Sequence, residues 1–229
     1  GRINPSCTHY AMFQTHFPHL HTQEPGSSSN YPPYTPSKKT TEVYFDNFLV
    51  LKKISQAKFS VYLIACPQTQ QLYAMKMYPR ELNQANFFFL NEIRFGNLQH
   101  SNVVSILGWE HNKHLFKKGE VFRLSYMIME FAPHGDLFDL FMRQKHHFEE
   151  KLVRTYFHQI LDGLEFLHSN GMAHLDLKLE NLLIGEDYQL KITDFDLSYK
   201  EGDEKIHALG SQCYRAPEIL RKTCVNPKP

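Results

Sequence analysis

Cysteine is scarce in this sequence. Cys7, Cys66, Cys213 and Cys224 stand far apart, with no C-x-x-C pair and no zinc-ligand spacing. This excludes a zinc ribbon or a disulfide scaffold. In a chain of 229 residues with no apolar signal core near its start, it predicts a reducing, cytoplasmic setting. Also missing is any apolar run fit to cross a membrane: the densest cluster, Phe87-Phe88-Phe89-Leu90, is far short of the roughly 20 residues a span needs. Nor is either sign of charge in excess. Lysine and arginine number 25 against 24 acidic residues, a formal net charge of +1. That balance offers no electrostatic case for nucleic acid or an anionic membrane as partner. Histidine is plentiful, at 14 residues. Yet His16, His19 and His21 sit in a polar stretch and His146-His147 in a charged connector, with no metal-ligand framework around either, so they read as solvated.

What is present is one domain's worth of core-forming sequence, 42% hydrophobic. Residues 1–40 are rich in Pro, Ser, Thr, His and Tyr and cannot bury enough apolar surface to offset their ordering entropy. They read as a disordered tail. From Tyr44 the texture changes. Residues 48–51, 61–65 and 72–77 are short β-prone runs between polar turns. Residues 82–98 read as a helix, and 103–109 and 121–131 as two more strands. After Pro133-His134-Gly135 the period becomes helical, with Val153, Phe157, Ile160, Leu164 and Leu167 on one face. Ser169-Asn170-Gly171 stops that helix, with glycine as its C-terminal cap. Two short strands follow, at 182–184 and 189–193. No internal repeat is visible, and no pattern sets an oligomeric state. The order is α+β: a small β-rich lobe carrying one helix over residues 41–131, then a mainly helical lobe over 132–229.

The chemistry-bearing residues cluster in the second half. His174-Leu175-Asp176-Leu177-Lys178-Leu179-Glu180-Asn181 is followed by Asp194-Phe195-Asp196 and then Ala216-Pro217-Glu218. Upstream, Tyr73-Ala74-Met75-Lys76 lies on an expected strand. Singly each is bland: a lone strand lysine is usually solvated and a lone Asp-Phe is a turn. In this order, on these elements, they resemble the H-R-D-L-x-x-x-N, D-F-G, A-P-E and V-A-I-K set of eukaryotic-type protein kinases. The resemblance covers about residues 44–220. It implies a bilobal fold, with an antiparallel sheet plus one helix in the N-lobe and a mainly helical, incomplete C-lobe.

It further implies ATP and magnesium as cofactors and a protein substrate bearing Ser or Thr. Phosphoryl transfer rests on positioning and charge stabilisation of a loose transition state. The resemblance makes Asp176 the catalytic base, Lys178 the cation beside the transferred group, and Asn181 and Asp194 the magnesium ligands. Lys76 becomes the clamp on the α- and β-phosphates, steadied by Glu92. Met129 reads as gatekeeper, with backbone groups of Glu130 and Ala132 on the adenine edge and Asp136 at the ribose. Tyr62, Ala74 and Leu183 sandwich the ring, although as apolar residues they fit a core equally well. Asp176-Leu177-Lys178-Leu179-Glu180-Asn181 and Gly210-Ser211-Gln212-Cys213-Tyr214-Arg215-Ala216-Pro217-Glu218 are similar to the serine/threonine branch, with Ser211 beside Asp176.

The sequence departs from the family pattern at several points. Ser55, Ala57 and Ser60 replace the three phosphate-loop glycines, whose lack of Cβ lets backbone approach the phosphates. Leu175 replaces the arginine that pairs with an activation-loop phosphate, which predicts activity independent of that phosphate. Asp196 replaces the glycine of D-F-G and adds a third carboxylate. After Glu218 only eleven residues remain. That predicts a piece of a longer protein or a truncated homologue, and an apolar helix at 150–169 lacking part of its cover. The alternative to a kinase is thus a pseudokinase that binds or scaffolds.

Overall fold

The computed structural model describes residues 43–55, 58–82, 84–117, 120–145, 147–203 and 210–220. The tail 1–40 and Ala57 lie outside the described residues. The first body is a six-stranded sheet in the order β1-β2-β3-β4-β6-β5. Its strands are β1 (Val43–Phe45), β2 (Phe48–Ser55), β3 (Ser60–Ala65), β4 (Leu72–Pro79), β5 (Ile106–Lys117) and β6 (Glu120–Glu130). Every neighbouring pair is antiparallel.

The period-2 alternation of β-branched and aromatic residues divides the side chains between two cores. Tyr73 and Met75 of β4 and Tyr126 and Ile128 of β6 pack on one face. Ala74 and Tyr78, with Met127 and Met129, face the other, where they meet helix α1 (Ala85–Ile93). That helix is shorter than the 82–98 expected. It begins at Gln84 without a side-chain cap and with φ of 62°. Beyond Ile93 the chain turns tighter: Phe95 donates to Glu92, Gly96 to Ile93 and Leu98 to Phe95, all i to i−3 bonds.

The chain crosses at residues 131–136 into a second body. Asp136 caps α2 (Leu137–Arg143), its carboxylate accepting the Asp139 N–H at 2.7 Å. The long α3 (Glu150–Ser169) ends as expected, with Gly171 at φ 68°. Four short strands complete it: β7 (Met172–Ala173), β8 (Leu182–Ile184), β9 (Leu190–Ile192) and β10 (Tyr199–Lys200), paired β8 with β9 and β7 with β10. A last short helix, α4, spans Pro217–Leu220.

Leu167, Ile184, Leu190 and Ile192 form the fully buried centre of this body. Asn102 stitches the two bodies together. Its Nδ2 donates to the Leu190 carbonyl at 2.8 Å, and its own carbonyl accepts the Ile192 N–H at 2.9 Å. On α3, Val153, Phe157 and Leu161 are about half exposed, a stripe at i, i+4, i+8 on the side away from that core. The single apolar face expected from the sequence is therefore divided: Ile160, Leu164 and Leu167 pack on the core, while Val153 and Phe157 point away from it. Among the described residues no helix is long and apolar enough to cross a membrane.

Helix α3 reaches Asn102 and β9 this closely because residue 163 is glycine. A Cβ there would stand 2.9 Å from the Asn102 carbonyl oxygen and 2.9 Å from Ile192 Cδ1. Gly163→Ala is therefore expected to destabilise the fold by about 1–3 kcal/mol despite alanine's better helix propensity. Urea denaturation measures this; an unchanged or raised midpoint would show that the packing is looser.

Candidate active site

Strand β4 delivers Lys76 to the cleft between the two bodies, and the burial of its ammonium sets the terms for everything near it. An unpaired buried charge is costly, so partners must be supplied. Glu92 of α1 supplies one at 2.7 Å and Asp194, just after β9, another at 2.6 Å. Burial lowers the Lys76 pKa, but Asp194 and Glu92 outweigh it and hold the ammonium well above its ordinary value. Tyr78, two residues along β4, donates its hydroxyl to the same Glu92 oxygen. Burial raises the Asp194 carboxyl, and Lys76 more than reverses it, so Asp194 stays ionised. Its backbone sits at φ 68°, a conformation an L-residue holds only under constraint. Phe195 then turns inward, packing between Phe95 and His174 with ring centroids 5.7 and 5.3 Å away.

The loop after β7 carries the second cluster. His174 is buried, which lowers its pKa and keeps the imidazole neutral. Its Nε2 lies 2.8 Å from the Thr193 carbonyl, and its Nδ1 accepts the Asp176 N–H at 3.3 Å. A carbonyl cannot donate, so Nε2 carries the proton. Leu175, at φ 63°, makes the sharp bend that presents Asp176. Burial pushes the Asp176 carboxyl up, but hydrogen bonds from Lys178 and Ser211 prevail and hold it below the usual carboxylate range. Lys178 Nζ stands 2.9 Å from Asp176 Oδ2 and 2.9 Å from Ser211 Oγ. The Ser211 N–H donates to Asp176 Oδ1 at 2.5 Å. This approach requires glycine at 210, where a Cβ would fall 2.1 Å from the Leu175 carbonyl oxygen. Asn181, buried in the 3-10 turn Leu179–Asn181, donates its Nδ2 to the Asp176 carbonyl at 2.8 Å.

The protein kinase domain model matches residues 48–228. The chain belongs to the protein kinase domain family. It is 40% identical over 119 residues to the maternal embryonic leucine zipper kinase of Danio rerio, covering 50% of this chain and 18% of that protein. It is 31% identical over 190 residues to CBL-interacting protein kinase 26 of Oryza sativa subsp. japonica, covering 79% and 36%. It is 32% identical over 182 residues to an Aurora kinase of Yarrowia lipolytica, covering 77% and 46%. The chain thus spans less than half the length of each of these relatives.

Within this kinase domain the remaining expected site residues fall as follows. Met129 and Ala132 are buried at the edge where the two bodies join. Glu130 turns its carboxylate away, to Lys191 at 3.0 Å and the Ser105 N–H at 2.6 Å. Asp136 faces Leu183 across an isolated bridge while capping α2. Ala74, Met129 and Leu183 share one apolar cluster, but Tyr62 is not in it. Tyr62 pairs with Met75 and packs on the opposite face of the sheet. Its neighbour Val61 pairs with Lys76 and lines the side with Ala74. Tyr62 therefore does not share a face with Ala74 and Leu183 as expected; in a strand, one residue of register exchanges the two faces.

Ser55 closes β2 and Ser60 opens β3. Phe59 is folded in against Tyr78 and Phe88, and Lys58 Nζ lies 3.0 Å over the Phe88 ring.

The family's magnesium chemistry needs hard oxygen donors that leave room for phosphate oxygens. Asp194 offers a carboxylate. Asn181, its nitrogen committed to Asp176, offers an amide oxygen. These residues fit the ion, since magnesium takes few protein ligands beside substrate phosphates. Among the described residues no group of three or more His, Cys, Asp or Glu is arranged to hold a metal by itself.

Asp196 is the additional acid. Burial and the neighbouring Asp194 push its carboxyl up to about 7. Its φ is not among the positive ones, so the Cβ meets no left-handed strain there. The unfolded chain releases this proton near pH 4, while the folded chain keeps it to about 7. The folded state then binds the extra proton, and stability falls as pH rises through that window. Asp196→Asn removes the effect. Without divalent cations, the loss of unfolding free energy between pH 5 and pH 8 should be smaller in Asp196→Asn than in wild type by about 2–3 kcal/mol. Identical pH slopes in the two proteins would contradict the assignment.

Proposed function

We propose that this domain catalyses transfer of the γ-phosphoryl group of ATP to Ser or Thr hydroxyls of protein substrates, in the cytoplasm. The observation that carries this reading is the pairing of two intact clusters across one cleft. Lys76 is held by Glu92 and Asp194 on one side, and Asp176 is held by Lys178, Asn181 and Ser211 on the other. Similarity to kinases of animal, plant and fungal origin supports it.

Each residue has a chemical task. Asp176 is ionised and oriented, so it can align a substrate hydroxyl and take its proton as attack begins. Lys178, bonded to Asp176, puts positive charge where the transferred group passes and leaves negative charge on its oxygens. Lys76 bears on the α- and β-phosphates. Bound magnesium neutralises phosphate charge, and Asn181 and Asp194 are the residues that would hold it. Val61, Ala74, Met129 and Leu183 share one apolar cluster whose surface suits a purine ring, with backbone groups of Glu130 and Ala132 at its edge.

Asp176→Asn keeps the size of the carboxylate but replaces one accepting oxygen with an NH2 group that can only donate, and it cannot take a proton. In the full-length protein it should lower kcat by about 10²–10⁴-fold while the melting temperature stays near that of wild type. Acid hydrolysis of wild-type product should release phosphoserine or phosphothreonine. Near-wild-type turnover in purified Asp176→Asn, or phosphotyrosine as the product, would overturn the reading.

A further inference from the structure

Glu92 can serve Lys76 only if α1 stays docked against the segment that follows Asp194. In many regulated kinases a phosphate on that segment holds it through the arginine of the H-R-D motif, and here that position is Leu175. The structure shows other ties. Asn91, adjacent to Glu92, is buried and turns its amide into the segment. Its Nδ2 donates to the Asp196 carbonyl at 2.9 Å and the Ser198 carbonyl at 2.9 Å, and lies 3.5 Å from that of Phe195. The two short bonds use both amide hydrogens, leaving the group no further capacity to donate. One turn further along, at the end of α1, Arg94 forms a two-pronged pair with Asp203: Nη1 to Oδ1 at 2.9 Å and Nη2 to Oδ2 at 2.9 Å. Asp203 Oδ2 also accepts the Lys200 N–H at 2.9 Å, so the carboxylate is fixed by its own loop.

The same segment is anchored on its other side. Ser198 Oγ donates to the His174 carbonyl at 3.2 Å, Tyr199 and Lys200 pair with Ala173 and Met172, and the Glu201 N–H bonds the Gly171 carbonyl at 2.7 Å. Residues 194–203 therefore form a bridge between α1 and the strand leading into the catalytic loop. The connections close a ring: Asn91 to Asp196, back along the chain to Asp194, across to Lys76, to Glu92, and through one peptide bond to Asn91. A closed ring of hydrogen bonds and ion pairs fixes each member more tightly than an open chain.

We propose that Asn91 is a positioning residue for catalysis, supported by the Arg94–Asp203 pair, and that together they hold the activation segment and Glu92 in register without a loop phosphate. The bidentate guanidinium–carboxylate pair does with Asp203 what a phosphorylated side chain would otherwise do. This rests on the kinase reading above. Neither residue touches the reacting atoms; both act through Glu92, Lys76 and Asp194.

The test uses the full-length protein with four variants: Asn91→Leu, Arg94→Asp, Asp203→Arg and the double exchange Arg94→Asp/Asp203→Arg. Asn91→Leu should lower kcat at least tenfold with a change in the KM for ATP of less than threefold. Each single charge variant should lower kcat at least threefold, and the exchange should restore it to within twofold of wild type. Phosphatase-treated wild type, dephosphorylated by mass spectrometry, should keep its rate within twofold.

Amide hydrogen exchange supplies a readout independent of turnover: residues 194–203 should exchange at least tenfold faster in Asn91→Leu, with β2 to β4 unchanged. Wild-type kcat in Asn91→Leu, no rescue by the exchange, or a tenfold loss on phosphatase treatment would overturn the proposal. If wild type itself proves inert, the kinase reading falls, and unchanged exchange at 194–203 would overturn the clamp as well.

Discussion

The buried ammonium of Lys76 is the constraint on which the site depends. Buried as it is, a lone lysine would lose its proton or force the structure open, so the sequence must supply anions from two other elements. Glu92 comes from a short, poorly capped helix and Asp194 from a residue held in left-handed backbone. Neither element is stable in that form on its own account. The helix has nine residues, well below the length at which isolated helices persist in water, and the backbone of Asp194 costs about 1–3 kcal/mol. The ion pairs and the aromatic packing of Phe59, Tyr78, Phe88 and Phe89 hold the helix. The inward packing of Phe195 between Phe95 and His174 holds the turn. Charge placement and hydrophobic burial thus enforce one geometry together.

The loop after β7 repeats this logic in polar form. His174 is neutral with a defined tautomer, Asp176 is ionised, and Asn181 and Ser211 orient it through backbone and side-chain bonds. Gly210 permits the close approach, and its role is steric: the backbone of the catalytic loop fills the volume a side chain would need. Two departures from the family pattern, Asp196 and Leu175, fit the structure without disturbing the site. Asp196 stays protonated up to about pH 7 in the absence of cations, so near that pH it adds less negative charge than its formula implies. Leu175 makes the bend that presents Asp176, and the segment after Asp194 is tied both to Asn91 and Arg94 and to β7.

Much of this was legible in the residues. The motif residues Lys76, Asp176, Lys178, Asn181 and Asp194 carry chemistry that few other contexts require in that order, and the two-lobed α+β order follows from a change of hydrophobic period near residue 135. Strand starts at 48, 72 and 182 and the end of α3 matched the turn signals around them. What was not legible has physical causes. The pattern Phe87-Phe88-Phe89-Leu90 is apolar on every side, so it marks a helix without marking its ends. Which of Val61 and Tyr62 shares the face of Ala74 depends on the strand register, and a shift of one residue looks the same in composition. Asn91, Arg94 and Asp203 pair over more than 100 positions, and no local pattern announces a contact of that span.

Lys76, Glu92 and Asp194 are proposed to form a nucleotide-ready site. The most direct test is the melting temperature of the full-length protein with and without millimolar ATP and magnesium, for wild type, Asp176→Asn and Lys76→Met. A ligand that binds only the folded state raises the melting temperature in proportion to its occupancy. Wild type should show a clear rise, Asp176→Asn a similar one, since its lesion lies in proton transfer, and Lys76→Met little or none. A wild type that does not respond to ATP and magnesium, or a rise that survives intact in Lys76→Met, would contradict it.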